Sequence, residues 1–172
     1  MSIGAEILTI LLLVLINGVL AMSEASLLAS RKARLQQAAN EGDKTAAATL
    51  ELLKSPNIFL STIQIGITLI GVLAGAVGGA TIAKALSASL QNVPYIGNHS
   101  EAISIGIVVV VITILTIWLG ELVPKRLGIH SPERIASVVA GPMILISKIF
   151  SPIVKLMSGA TELVLTLFGV KP

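Results

Sequence analysis

Apolar residues run almost without interruption through three stretches of the chain, residues 5–30, 58–83 and 101–123. Each is long enough to cross a bilayer as a helix, which takes about 20 residues. The few polar positions inside them are therefore informative. In the first stretch they are Asn17, Ser23, Glu24 and Ser26. Ser23 and Ser26 lie three apart, Asn17 and Glu24 seven apart, and each spacing puts the pair on one helical face. Small polar residues of this kind commonly hydrogen-bond between helices. The second stretch carries Ser61, Thr62, Gln64 and Thr68, none with a reason to face lipid. It is also dense in small residues, and Gly71-Val72-Leu73-Ala74-Gly75 has the spacing that lets helix backbones approach closely. A tightly packed centre is expected there. The third stretch ends on Trp118-Leu119-Gly120-Glu121-Leu122-Val123-Pro124-Lys125-Arg126, where a carboxylate, a glycine and a proline crowd the point at which hydrocarbon should give way to water. An ionisable group is costly there, and a helix end interrupted by Gly and Pro offers backbone oxygens to a cation. The plainer reading is that Glu121 pairs with Lys125 one turn later, while Gly120 and Pro124 close the helix.

The connecting segments differ in kind. Residues 31–55 are Ala-rich and charged, interrupted by Glu41-Gly42-Asp43, and read as a cytoplasmic helical hairpin closed at Ser55-Pro56. Residues 84–100 hold one of the twelve Lys and Arg residues, Lys84, and read as an exterior loop after a short helix. Lys and Arg concentrate on the cytoplasmic side. The N-terminus is thus expected outside and the C-terminus in the cytoplasm, in a multi-pass protein of the cell membrane. Residues 132–168 begin with Pro132 in a helical first turn, are interrupted at Gly141-Pro142 and Ser151-Pro152, and carry Lys148, Lys155 and Glu162. They are expected to form one or more juxtamembrane amphipathic helices at the inner surface, lysines toward the headgroups. A fourth, kinked span is the alternative, and it would put the C-terminus outside. The expected fold class is an all-α integral membrane protein with three transmembrane helices, a cytoplasmic helical hairpin and a juxtamembrane amphipathic belt.

Composition agrees with this pattern. Of 172 residues, 54% are hydrophobic and 12% charged, with a mean hydropathy of +0.93, against roughly 25% charged in soluble domains. The net charge of +3 follows from the cytoplasmic flanks. With 3% aromatic residues and no basic stripe interleaved with stacking groups, membrane lipid is the expected partner and nucleic acid is not. The chain has no cysteine, and its two histidines, His99 and His130, stand far apart, which argues against thiolate and zinc chemistry. No nucleophile elbow, phosphate loop or paired-histidine motif occurs, so no enzyme activity is expected. The N-terminus lacks the cationic region of a signal peptide, and the first apolar run is read as a retained span.

If the three spans pack together, Ser23, Glu24 and Ser26 of the first can converge with Gly66 and Thr68 of the second and with Gly120 and Glu121 of the third. Carboxylate, hydroxyl and carbonyl oxygens suit a hard cation such as Mg²⁺, Ca²⁺ or Na⁺, and oxygen chemistry alone does not choose among them.

These residues carry a resemblance. Asn17-Gly18-Val19-Leu20-Ala21-Met22-Ser23-Glu24, Phe59-Leu60-Ser61-Thr62-Ile63-Gln64-Ile65-Gly66-Ile67-Thr68 and, most specifically, Gly120-Glu121-Leu122-Val123-Pro124-Lys125 resemble the transmembrane domain of the CorC/CNNM family of magnesium transporters. The resemblance covers essentially the whole chain. It implies a homodimer of three-span subunits with a juxtamembrane helical belt, a Mg²⁺ site among the helices, and Mg²⁺ export with Na⁺ as the candidate coupling ion. Carried over residue by residue, it makes Glu121 the leading ligand, with Ser23, Ser26, Thr68 and backbone oxygens around Gly66 and Gly120 behind it. Eukaryotic members carry an asparagine near the place of Glu24, which leaves Glu24 as either a ligand or a neighbour. The family continues into cytoplasmic CBS domains, and this chain is expected to stop where they begin, without their nucleotide-linked regulation. The rival function is a membrane anchor or sensor that holds such domains, with a bound ion as a structural staple.

Overall fold

The computed structural model describes residues 2–95 and 97–169, apart from the side chains of residues 79 and 80, and no strand occurs among the described residues. Helix α1, Ile3–Ala29, begins where the Ser2 hydroxyl accepts the Ala5 N–H at 3.3 Å. At 1.5 Å per residue it is about 40 Å long, enough to cross the hydrocarbon. Its faces are inverted relative to a soluble helix. Leu8 and Leu15 are 69% and 67% exposed, whereas Asn17, Ser23 and Ser26 are at most 1% exposed. Apolar side chains outward and hydrogen-bonding ones inward is the arrangement that lipid favours, because polar groups find partners only inside the protein.

Helices α2, Lys32–Asn40, and α3, Lys44–Leu52, fold back on each other through a turn in which Gly42 takes φ +98°, a conformation glycine adopts without strain. Asp43 caps α3: its Oδ1 accepts from the Thr45 hydroxyl at 2.7 Å and from the N–H groups of Thr45 and Ala46 at 2.8 and 3.1 Å. These bonds, the Thr45 hydroxyl foremost, hold its carboxyl below the usual aspartate range. Helix α4, Pro56–Ala80, starts with proline in its first turn, where no N–H is needed. The chain bends at Thr81 into α5, Ile82–Leu90, which packs on α6, Ser100–Ile117. After α6 come a π-helical turn at Trp118–Leu122 and α7, Val123–His130. Helix α8, Pro132–Leu167, completes the described fold.

Two apolar clusters sit on either side of α1's midpoint. One joins Ile10 and Val14 of α1 to Ala74 of α4, Ala83 of α5 and Val108 and Ile112 of α6. The other joins Leu20 and Leu27 of α1 to Leu52 of α3, Phe59 and Ile63 of α4, and Ala136, Val139, Ala140 and Met143 of α8. α1 is thus the central post of the domain. By length and composition, four helical segments can cross a membrane: Ile3–Ala29, Pro56–Leu90, Gly97–His130 and Pro132–Leu167.

The prolines that interrupt the apolar pattern of residues 132–168 do not interrupt the helix. Pro142 and Pro152 both lie inside the 36-residue α8. Each removes one backbone hydrogen bond, but packing against neighbouring helices compensates for such a loss. Here Ala136 to Met143 are held in the α1–α3–α4 cluster, and Val154 lines a groove with Ser61, Gln64 and Ile65 of α4.

Candidate functional site

The site begins with Pro124. In an α-helix the N–H of a residue at this position would bond to the carbonyl of Gly120, and proline has none to give. The chain widens into a π turn instead, in which the Val123 N–H reaches the Trp118 carbonyl. The Gly120 carbonyl then accepts from Asn17 Nδ2 of α1 at 2.9 Å. This bond crosses 103 positions of sequence.

Glycines let the two rods come this close. A Cβ on Gly18 would stand 3.0 Å from Pro124 Cγ, and one on Gly120 would stand 3.3 Å from the Val14 carbonyl oxygen. On Gly128 it would lie 2.6 Å from the Met22 carbonyl oxygen, nearer than any real side chain tolerates.

The carboxylates follow along the same seam. Glu24 Oε2 of α1 lies 3.2 Å from Lys125 Nζ, and Glu121 Oε1 lies 2.8 Å from the same nitrogen. Two helices therefore direct their acids at one ammonium. Ser23 and Ser26 are fully buried, and their hydroxyls donate to the carbonyls of Val19 at 2.6 Å and Ser23 at 3.0 Å. A hydroxyl that donates in this way can still accept through its oxygen. Among the described residues, Asn17 Oδ1 is buried without a partner.

The residues singled out from sequence divide accordingly. Gly120 and Glu121 meet α1 at Asn17 and, through Lys125, at Glu24, on the same helix as Ser23 and Ser26. Gly66 meets α1 about one turn before Ser23 and Glu24, where its Cβ would lie 2.9 Å from Leu20 Cδ1. Thr68 stands apart: it is exposed, and its hydroxyl donates back to the Gln64 carbonyl at 2.8 Å. Two residues from Gly66 is roughly 200° around a helix, so the two cannot share a face. Among the described residues no group of three or more His, Cys, Asp or Glu side chains is arranged to hold a metal. The donors at the seam are two carboxylates together with amide, hydroxyl and carbonyl oxygens.

The sequence predicts interhelical hydrogen bonding for Asn17 and its polar neighbours on α1 without naming an acceptor, and it pairs Lys125 with Glu121 alone. The signal for Asn17 was present. A proline four residues after Gly120 leaves that carbonyl without its helical donor, and an amide in an apolar span needs an acceptor.

An all-helical, lipid-facing bundle organised around one buried polar seam defines an integral membrane domain. More narrowly, the chain belongs to the CNNM family: residues 7–172 match the cyclin M transmembrane N-terminal domain. Among its relatives is the UPF0053 protein sll0260 of Synechocystis sp., 44% identical over 169 residues that make up 98% of this chain and 38% of that protein. Two others bear the name polyamine export protein. That of Escherichia coli is 32% identical over 163 residues, 95% of this chain and 36% of its own length. That of Haemophilus influenzae is 29% identical over 170 residues, 99% and 39%. The chain thus spans less than two fifths of each of these relatives.

Proposed function

We propose that this chain is the membrane part of a transporter that carries a cation across the bilayer, with Glu24 and Glu121 supplying the charge along its path. One observation carries the reading: carboxylates from two helices converge on a single ammonium, beside a π turn whose Gly120 carbonyl faces α1. Apolar spans have no structural need of such a constellation, and π turns gather at functional positions. Mg²⁺ is the proposed cargo, with Na⁺ as the candidate coupling ion. Oxygen donors suit a hard cation, and the unpartnered Asn17 Oδ1 is one donor more than the sequence supplied. The proposed set is then Ser23, Ser26, Gly120 and Glu121, joined by Asn17 and Glu24.

A second cargo is favoured by a specific observation. The group held by the two acids is a primary ammonium, the same chemistry as the end of a polyamine, and two relatives are named for polyamine export. Flux into sealed vesicles loaded with a Mg²⁺ indicator, run beside uptake of labelled 1,4-diaminobutane, decides between them. Glu121→Gln is expected to reduce the transported cation's flux at least about tenfold, the loss of one fully used charge–charge contact. Flux of neither cation in the full-length protein would leave the anchor reading standing.

The proposed assembly is a homodimer, in the full-length protein joined to cytoplasmic CBS domains. Ser61, Gln64, Thr68, Gly71 and Gly75 fall on one stripe of α4, whose Ser61–Gln64 end also borders the α8 groove, and a Cβ on either glycine would meet nothing within 4 Å. Hydroxyls, an amide and a small-xxx-small pair are what a second helix uses to approach closely in lipid. The proposed topology has three spans, the N-terminus outside and α8 as the inner belt. A fourth span is the second topology, favoured by α8's length and by the groove it shares with α4. Labelling a cysteine introduced in place of Phe168 from one side of the membrane and then the other separates the two.

A further inference from the structure

We propose that Lys125 is a tethered competitor for the cation at the Glu24–Glu121 site and thereby sets which cations enter it. The inference rests on the cation-site reading above. An ordinary Glu–Lys pair one helical turn apart needs only Glu121. Here Lys125 Nζ also reaches Glu24 of another helix, at 3.2 Å, and so occupies the point on which both acids converge. Its side chain is 34% exposed, and a flexible four-carbon stem lets the ammonium move to water without moving α7.

The charge count gives this position a consequence. With the ammonium in place the three groups carry one net negative charge; with it withdrawn they carry two. A monovalent ion that displaces Lys125 exchanges one positive charge for another and gains no net attraction. A dication exchanges one for two and leaves the carboxylates neutralised. Lys125 therefore weakens every cation by about the same factor, which drops a monovalent ion below useful occupancy while a dication, with attraction to spare, still binds. A diammonium satisfies the same count as Mg²⁺. The returning ammonium also helps expel the cargo, so tight binding is exchanged for fast release.

Trp118 is the sole tryptophan, lies in the π turn three residues before Glu121, and serves as the binding reporter. The purified chain in detergent is titrated with MgCl₂ and then with NaCl as competitor. Lys125→Gln is expected to tighten Mg²⁺ about tenfold, the equivalent of ~1.4 kcal/mol. It should also slow Mg²⁺ release and make Na⁺ a measurable competitor, while Lys125→Arg stays close to wild type. Loss of a nearby positive charge alone would also tighten Mg²⁺, so release of Lys125 on Mg²⁺ binding, read by labelling, is what singles out direct displacement. If Lys125→Gln binds Mg²⁺ no more tightly while Glu121→Gln loses binding, the competitor role is wrong and the site stands. If neither wild type nor Lys125→Gln responds to Mg²⁺, both are wrong. A measurement on the wild type alone covers a variant that does not fold. Acetic anhydride labelling of Lys125, followed by mass spectrometry, should speed up several-fold when Mg²⁺ is added, and an unchanged or slower rate overturns the proposal.

Discussion

α4 and the α6–α7 rod both carry glycines into the membrane domain, and they use them in opposite ways. On α4, Gly71 and Gly75 border open space, and Gly66 and Gly78 face the tips of Leu20 and of Ile112 and Ile10, which can shift. On the rod Gly106 borders open space as well, but Gly120 and Gly128 border the backbone of α1, which cannot shift. Glycine density therefore does not locate the tight contact. The helix with the small-xxx-small spacing leaves that face open within one chain, and the tight seam forms where single glycines stand opposite carbonyl oxygens and Pro124. In one chain the close approach serves the polar site, and the glycine stripe is left for whatever covers α4.

The sharpest way to break this contrast is to fill the seam. Gly128→Val puts a side chain where a Cβ already lies 2.6 Å from the Met22 carbonyl oxygen and 3.2 Å from Ala25 Cβ. Overpacking of this kind costs about 1–3 kcal/mol and occasionally more, and the backbone on the far side places this case at the upper end. Thermal unfolding in detergent should move down by roughly 5–10 °C, from about 2–4 °C per kcal/mol for a chain of this size. An unchanged transition would mean that α7 sits farther from α1 than described.

Asn17→Leu tests the same seam through its hydrogen bond at nearly constant volume. It removes the donor from the Gly120 carbonyl, for which Pro124 offers no replacement, and leaving a buried acceptor unsatisfied costs about 1–3 kcal/mol. The loss of stability should be smaller than for Gly128→Val. It should be accompanied by a change in Trp118 fluorescence, because the π turn loses its anchor. Full stability with an unchanged spectrum would show that the π turn holds itself without α1.

How far the sequence foretold this arrangement differs between its parts. The long apolar helices, the Glu41-Gly42-Asp43 break and the Glu121–Lys125 pair are legible because hydropathy, turn chemistry and helical spacing act locally. The family followed from the Gly120-Glu121-Leu122-Val123-Pro124-Lys125 motif. Three-dimensional pairing was less legible. That Lys125 serves Glu24 as well as Glu121 depends on the depth at which α1 and α7 align, and that depth is set by Gly18 against Pro124 and by Gly128 against Met22. Thr68 and Gly66 both lie mid-span, yet their angular separation on the helix parts them. The small residues of α4 predicted closeness correctly as a capacity, but a capacity needs a partner surface, and a single chain supplies none at Gly71 and Gly75.

The mildest substitution gives the finest test of the contrast. Replacing Gly71 and Gly75 together by alanine adds two methyl groups into open space and removes two glycines from a helix interior, each worth up to about 1 kcal/mol in helix propensity. The single chain should therefore unfold at the same temperature or slightly higher, the reverse of the Gly128→Val result. Self-association is a separate readout. If a second copy lies on the Ser61–Gln64–Thr68 stripe, the added methyls hold the helices apart, and the dimer fraction in light scattering or cross-linking should fall several-fold while the monomer's stability holds. A dimer unchanged by both alanines would place its interface elsewhere on the molecule. A monomer destabilised by them would mean that α4 is packed there within the chain, and the distinction between the two glycine-bearing helices would disappear.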